Sequence, residues 1–172
     1  MKKKVKVLFI DDLFDLSLSL AHRCDLMNKF DCVIPFTNAD EIDTLAKKYD
    51  DKTMIDPREL ARASKKPIDF FETQIHTLEP DAIIASGFGC YILLDLLFHD
   101  VWTGPSIILT PTHIDQYNLE GDLDIDPVIY VTSNAGSCPS ASMLVEKSGG
   151  VIIPRSDDST FIGDVTKAIE AL

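Results

Sequence analysis

The chain has 172 residues, 28 acidic against 16 basic side chains, a net charge of −12 and 45% hydrophobic content. That length buries a sizeable core without disulfide or metal staples, and the apolar fraction excludes a disordered acidic tail. The charge balance argues against nucleic acid and anionic membrane as partners, since both need clustered Lys and Arg. The apolar runs also fall far short of the roughly 20 residues that span a bilayer.

The lysines at 2–4 and Lys6 suggest a signal-peptide start, but the apolar run Val7-Leu8-Phe9-Ile10 stops at Asp11-Asp12. A secretory segment needs at least about 7 apolar residues, so residues 4–10 read as a first strand. Cys24, Cys32, Cys90 and Cys138 are widely spaced with no C-x-x-C pair, which predicts reduced thiols and a cytoplasmic location. Leu16, Leu20, Cys24 and Met27 then step at helical spacing. Residues 32–36 predict a second, short strand that Pro35 limits. Residues 39–62 are polar, charged and only loosely helical. Pro67 is expected to open a helix with Ile68, Phe71, Ile75 and Leu78 on one face, because a first-turn proline lacks only an N–H that would be unpaired anyway.

Glu79-Pro80 ends that helix, and residues 81–85 form an unalternating apolar strand, the mark of burial on both faces. An apolar helix over 91–98 follows, then strands at 106–110 and 128–132, a helix at 140–147, a strand at 151–153 and a last helix at 162–172. Alternating strands and helices predict an α/β fold, a parallel sheet covered on both faces. Ligands of such sheets sit at the carboxyl ends of the strands. That rim comprises Asp11-Asp12, residues 86–90, residues 111–113, Ser133-Asn134 and residues 155–158.

The run Ala85-Ser86-Gly87-Phe88-Gly89 passes from strand through a tight turn into a helix, the setting of a nucleophile elbow. With residues 79–98, Trp102-Thr103-Gly104-Pro105 and residues 107–111, it resembles the compact α/β-hydrolase class, the small lidless serine hydrolases. The resemblance implies one α/β-hydrolase-like domain over residues 1–172. It would be a three-layer α-β-α sandwich of about six mainly parallel strands. The elbow serine's position matches Gly87, between small residues at Ala85 and Gly89. Reading Ser86 as the nucleophile puts Ile84 and Phe88 where small residues are required. The histidine–glycine pair after the first strand matches Asp11-Asp12. The acid position falls near Ala135-Gly136 and the base at Asp158 or Ser159, with no histidine after His113.

Acyl transfer needs an activated nucleophile and a positioned base, so the resemblance implies a pseudoenzyme with a binding or structural role and no cofactor. An elbow serine carries roughly 1–3 kcal/mol of backbone strain, which glycine relieves. The Phe88 N–H and the helix N-terminus are expected to remain an anion-friendly corner. The pocket candidates are Asp11, Asp12, Gly87, Phe88, His113 and Asp157, and the expected partner is a small-molecule ligand or a protein.

Three rival readings use the same rim. Cys90 or Ser86 with His113, completed by Asp157 or Asp158, would make an active small esterase. Against it, Cys90 is expected to pack as a small hydrophobe behind the elbow. Asp11, Asp12, His113, Asp157 and Asp158 are hard donors suited to Mg²⁺, but they form no spacing motif and no metal is predicted. Asp11-Asp12 after the first strand, with Thr110, also resembles a phospho-receiver domain, although Ala85-Ser86 stands where the phosphoacceptor belongs. Asp122, Asp124 and Asp126 imitate an EF-hand start, yet Pro127 follows where glycine is needed. His22, His76 and His99 are expected on or beside helices away from the rim, and Trp102 against the turn before Gly104.

Overall fold

The computed structural model describes residues 4–13, 20–35, 40–48, 56–109, 111, 128–132, 151–154 and 161–171. In chain order the elements are β1 (Lys6–Ile10), α1 (Leu20–Lys29), β2 (Asp31–Val33), α2 (Asp40–Lys48) and α3 (Pro57–Leu78). They continue with β3 (Ala82–Ser86), α4 (Gly89–Phe98), β4 (Ser106–Leu109), β5 (Val128–Thr132), β6 (Val151–Pro154) and α5 (Phe161–Glu170). The strands pair in parallel in the order β2-β1-β3-β4-β5-β6. The chain leaves β1 in one direction for β2, then returns to the other side of β1 for β3. This reversal is the topological switch point of the sheet, where open α/β folds leave a crevice.

The expected α/β architecture, a parallel sheet with helices, is therefore present. Its cause is in the strand composition. Every residue of β3 and β4, and Val7 to Ile10 of β1, is buried, so each strand needs cover on both faces. Alternation along the strands sorts the side chains. Leu8, Ile10, Ile83, Ala85 and Ile108 join a core with residues of α2, α3 and α4. Val7, Phe9, Ile84, Ile107 and Leu109 face the other way, onto Leu26 and Phe30 at the end of α1 and Val165 and Ala168 of α5. Full burial of such aliphatic and aromatic side chains stabilises by about 1.5–3 kcal/mol each. Among the described residues, no helix is long and apolar enough to cross a membrane.

Three local expectations need correction. The helix predicted to open at Pro67 begins at Pro57, ten residues earlier, and Pro67 lies buried in its interior. Asp56 is the true cap: its side chain accepts the Arg58 N–H at 2.8 Å, and Pro57 takes the first-turn place. Leu60, Ala63, Ser64, Pro67, Phe71 and Ile75 form one buried face. The gain from burying that continuous face outweighs the proline's lost hydrogen bond, which costs about 3 kcal/mol. The segment read as loosely helical contains α2, whose Ile42 and Leu45 are buried.

On α1, two of the residues that step at helical spacing, Cys24 and Met27, do not meet the sheet. Cys24 is exposed and Met27 is 58% exposed, whereas Leu26 is fully buried. Arg23, Leu26 and Phe30 lie on one side at helical spacing, and docking that side against the sheet carries the cysteine and methionine outward. Residue Leu16 lies outside the described residues. The strand read over 32–36 is shorter: β2 starts one residue earlier and ends at Val33, two residues before a proline that cannot donate to the ladder. The helix predicted at 140–147 lies outside the described residues.

Candidate functional site

At the switch point β1 runs out into Asp11-Asp12 and β3 into Ser86-Gly87-Phe88. Both aspartates are buried, at 6% and 9% exposure. Gly87 adopts φ +53, in the left-handed region that side chains resist, and α4 begins two residues later. The Gly87 N–H donates to the Leu109 carbonyl at 3.1 Å, which extends the contact with β4 by one residue before the chain turns. Gly89 serves a different need. A Cβ there would lie 2.7 Å from the Asp11 carbonyl oxygen and nearer still to that of Ile10, so only glycine lets the start of α4 seat on the end of β1.

The two aspartates have separate partners. Asp11 Oδ1 accepts the Asp12 N–H at 2.9 Å and the Ser86 hydroxyl at 3.3 Å. Asp11 Oδ2 pairs with the Arg23 guanidinium, which reaches in from α1. Burial raises the Asp11 pKa above its ordinary 3.8, while the Asp12 N–H, the Arg23 charge and the Ser86 hydroxyl pull it part of the way back. Asp12 Oδ1 accepts the Phe88 N–H at 3.2 Å. The rest of that carboxylate lies where a side chain at 87 would go: an added Cβ would be 2.9 Å from Asp12 Cβ and would overlap Cγ and Oδ2.

The corner read as anion-friendly is thus filled by an anion belonging to the chain itself. Asp12, read as a pocket candidate, itself takes the donor a ligand would use. The remaining nucleophile candidates are also engaged. Ser86 is buried and its hydroxyl donates a hydrogen bond to Asp11. Cys90 is fully buried in the core beneath the elbow, with its Sγ facing the carbonyls of Ala85 and Leu109 at 3.4 and 3.7 Å. This is the packing of a small hydrophobe. Ser86, not an acid, ends β3, so the receiver's phosphoacceptor position holds no carboxylate.

His113, Asp157 and Asp158 lie outside the described residues, as do Thr110, Ser133-Asn134 and the acidic run at 122–126. Of the proposed metal set only Asp11 and Asp12 are described, and no group of three metal-ligating side chains occurs among the described residues. His76 and His99 are exposed on α3 and at the end of α4, beside Glu72 and Asp95 respectively. Trp102 lies across Gly104, with its indole N–H donating to the Ser106 hydroxyl at 3.1 Å.

Arg23 is the site residue that sequence reading missed. Its signal was present in the spacing: it precedes Leu26 by three positions on the side of α1 that meets the sheet. A comparison of the chain with protein-family models, with curated proteins and with solved structures finds no match.

Proposed function

We propose that the chain is an α/β-hydrolase-like protein, a three-layer sandwich that lacks hydrolase activity and keeps the fold for a binding or structural role. The observation that carries this reading is the Asp12 carboxylate, which occupies both the side-chain space at Gly87 and the Phe88 N–H. An acyl-transfer elbow uses the first for its nucleophile and the second to stabilise an oxyanion. Removing one oxyanion donor already costs about 2.7–4 kcal/mol of barrier. A carboxylate in its place adds repulsion of about 4 kcal/mol for two charges 4 Å apart at an effective dielectric constant of 20. The two effects act in the same direction, against the charge that ester hydrolysis must build.

The strand–turn–helix at β3–α4 and the positive φ of Gly87 support the hydrolase likeness. The free thiols of Cys24, Cys32 and Cys90 fit a reducing, cytoplasmic setting. The test is incubation with short-chain p-nitrophenyl esters, a fluorophosphonate probe and iodoacetamide. The expected result is no turnover and no probe attached at Ser86 or Cys90. Turnover abolished by Cys90→Ala or Ser86→Ala overturns the reading in favour of an active small esterase, and its further loss in His113→Ala would assign the base.

A further inference from the structure

We infer that the outward face of α3 is a self-recognition surface, on which a second copy of this chain lays the same helix antiparallel. Arg58, Arg62, Lys65, Asp69, Glu72 and His76 step by four and three residues along α3. Helical spacing sets them in one stripe, across the helix from the buried Leu60, Phe71 and Ile75. The stripe is basic as far as Lys65 and acidic at Asp69 and Glu72. Among the described residues, the side chains of Arg58, Arg62 and Lys65 make no ion pair.

This order of charges works against the helix itself. Arg58 lies in the first turn, where the helix dipole disfavours a cation. Arg58 and Arg62 repel at four-residue separation, and Lys65 before Asp69 is the weaker order for an ion pair within one helix. A pattern that costs local stability is expected where it serves a contact outside the element. A second α3 running the opposite way supplies that contact. With a two-fold axis passing beside residue 67, Arg62 of one copy meets Glu72 of the second copy, Lys65 meets Asp69, and Arg58 meets His76. Each contact is made twice, as a two-fold interface requires, and four-three spacing keeps facing stripes in step along antiparallel helices. The two helix dipoles also lie opposed, which is favourable. Two chains of net charge −12 repel overall. At about 0.15 M salt, however, the screening length is about 8 Å, so the facing pairs set the orientation. Exposed ion pairs hold weakly, and the dimer is accordingly weak and reversible.

The experiment is sedimentation velocity of the full chain at about 0.15 M sodium chloride, up to about 1 mM protomer. The parent chain should shift from monomer toward dimer as its concentration rises. Arg62→Glu with Lys65→Glu should stay monomeric, and so should Asp69→Lys with Glu72→Lys. The second pair of changes brings the net charge nearer zero, so its loss of dimer cannot come from overall repulsion. Mixed in equal amounts, the two double variants should form a heterodimer, because one stripe is then acidic at its centre and the other basic. Far-UV circular dichroism checks that each variant is folded. If a double variant unfolds, Lys65→Glu and Asp69→Lys make the same cross singly. A parent chain that stays monomeric, a dimer that survives either reversal, or a mixture that does not pair overturns the inference.

Discussion

Adding a side chain at Gly87 is the sharpest test of the packing around Asp12. In Gly87→Ala the new Cβ overlaps the Asp12 carboxylate and lies 2.9 Å from Asp12 Cβ, so Asp12 must swing out of the corner. Two costs follow. A non-glycine residue at φ +53 loses about 1–2 kcal/mol, and the charged hydrogen bond to Phe88 is worth about 1.5–3 kcal/mol. The sum is about 2.5–5 kcal/mol, no more than the 5–15 kcal/mol stability usual for a domain, so the variant should fold and be measurable by urea denaturation followed by far-UV circular dichroism. In an Asp12→Ala background the clash is gone and only the backbone cost remains. The double variant should therefore be about 1.5–3 kcal/mol less destabilised than the two single changes added together. A loss below about 1 kcal/mol for Gly87→Ala, or simple additivity in the cycle, would refute the claim that the two residues share one space.

Three further outcomes are expected. Arg23→Ala leaves the buried Asp11 carboxylate without its cation, and urea midpoints should show a loss of about 1–3 kcal/mol, tempered because the Arg23 side chain is 26% exposed. The raised pKa of Asp11 gives its contribution a definite sign. The folded chain holds that proton more tightly than the unfolded one, so the contribution is complete below 3.8 and is lost as pH rises through the folded value. Stability of the parent chain relative to Asp11→Asn should thus fall with rising pH across that window, and a flat or rising difference contradicts the assignment. Native iodoacetamide labelling, read by peptide mass spectrometry, should modify Cys24 while sparing Cys32 and Cys90. Cys32 is buried, and that burial, with Asp31 beside it, pushes its thiol up to about 12. Labelling of Cys90 as fast as Cys24 contradicts the buried thiol of the elbow helix.

The strands were legible because their evidence is local. Ala82 to Ala85 and Ile107 to Leu109 are short apolar runs between Pro or Gly signals, and burial on both faces is written directly into such composition. The start of α3 was misread because two prolines offered the same first-turn role. Asp56 before Pro57 is the stronger signal, since the side-chain acceptor needed at a helix start precedes the proline there. The outward turn of Cys24 and Met27 follows from docking of Leu26 and Phe30, and helical spacing alone does not say which stripe meets the sheet. At the site, the sequence pointed to the loops after β1 and β3 and to Gly87 at the turn between β3 and α4. It did not reveal that Asp12 reaches into the elbow while Asp11 turns to Arg23. Adjacent residues with identical side chains give no local sign of their different partners, and both assignments depend on contacts made only after the sheet has formed.

The strand order also has a consequence in time. β1 lies between β2 and β3, but β3 follows β2 by about fifty residues, or roughly 3–10 s of synthesis at 5–20 residues per second. Through that interval the apolar β1 has only the three-residue β2 beside it, too little for a stable sheet. A growing chain must therefore wait for Ser86 before its first strand gains a lasting neighbour. The same arrival completes both the sheet and the corner that Asp12 enters.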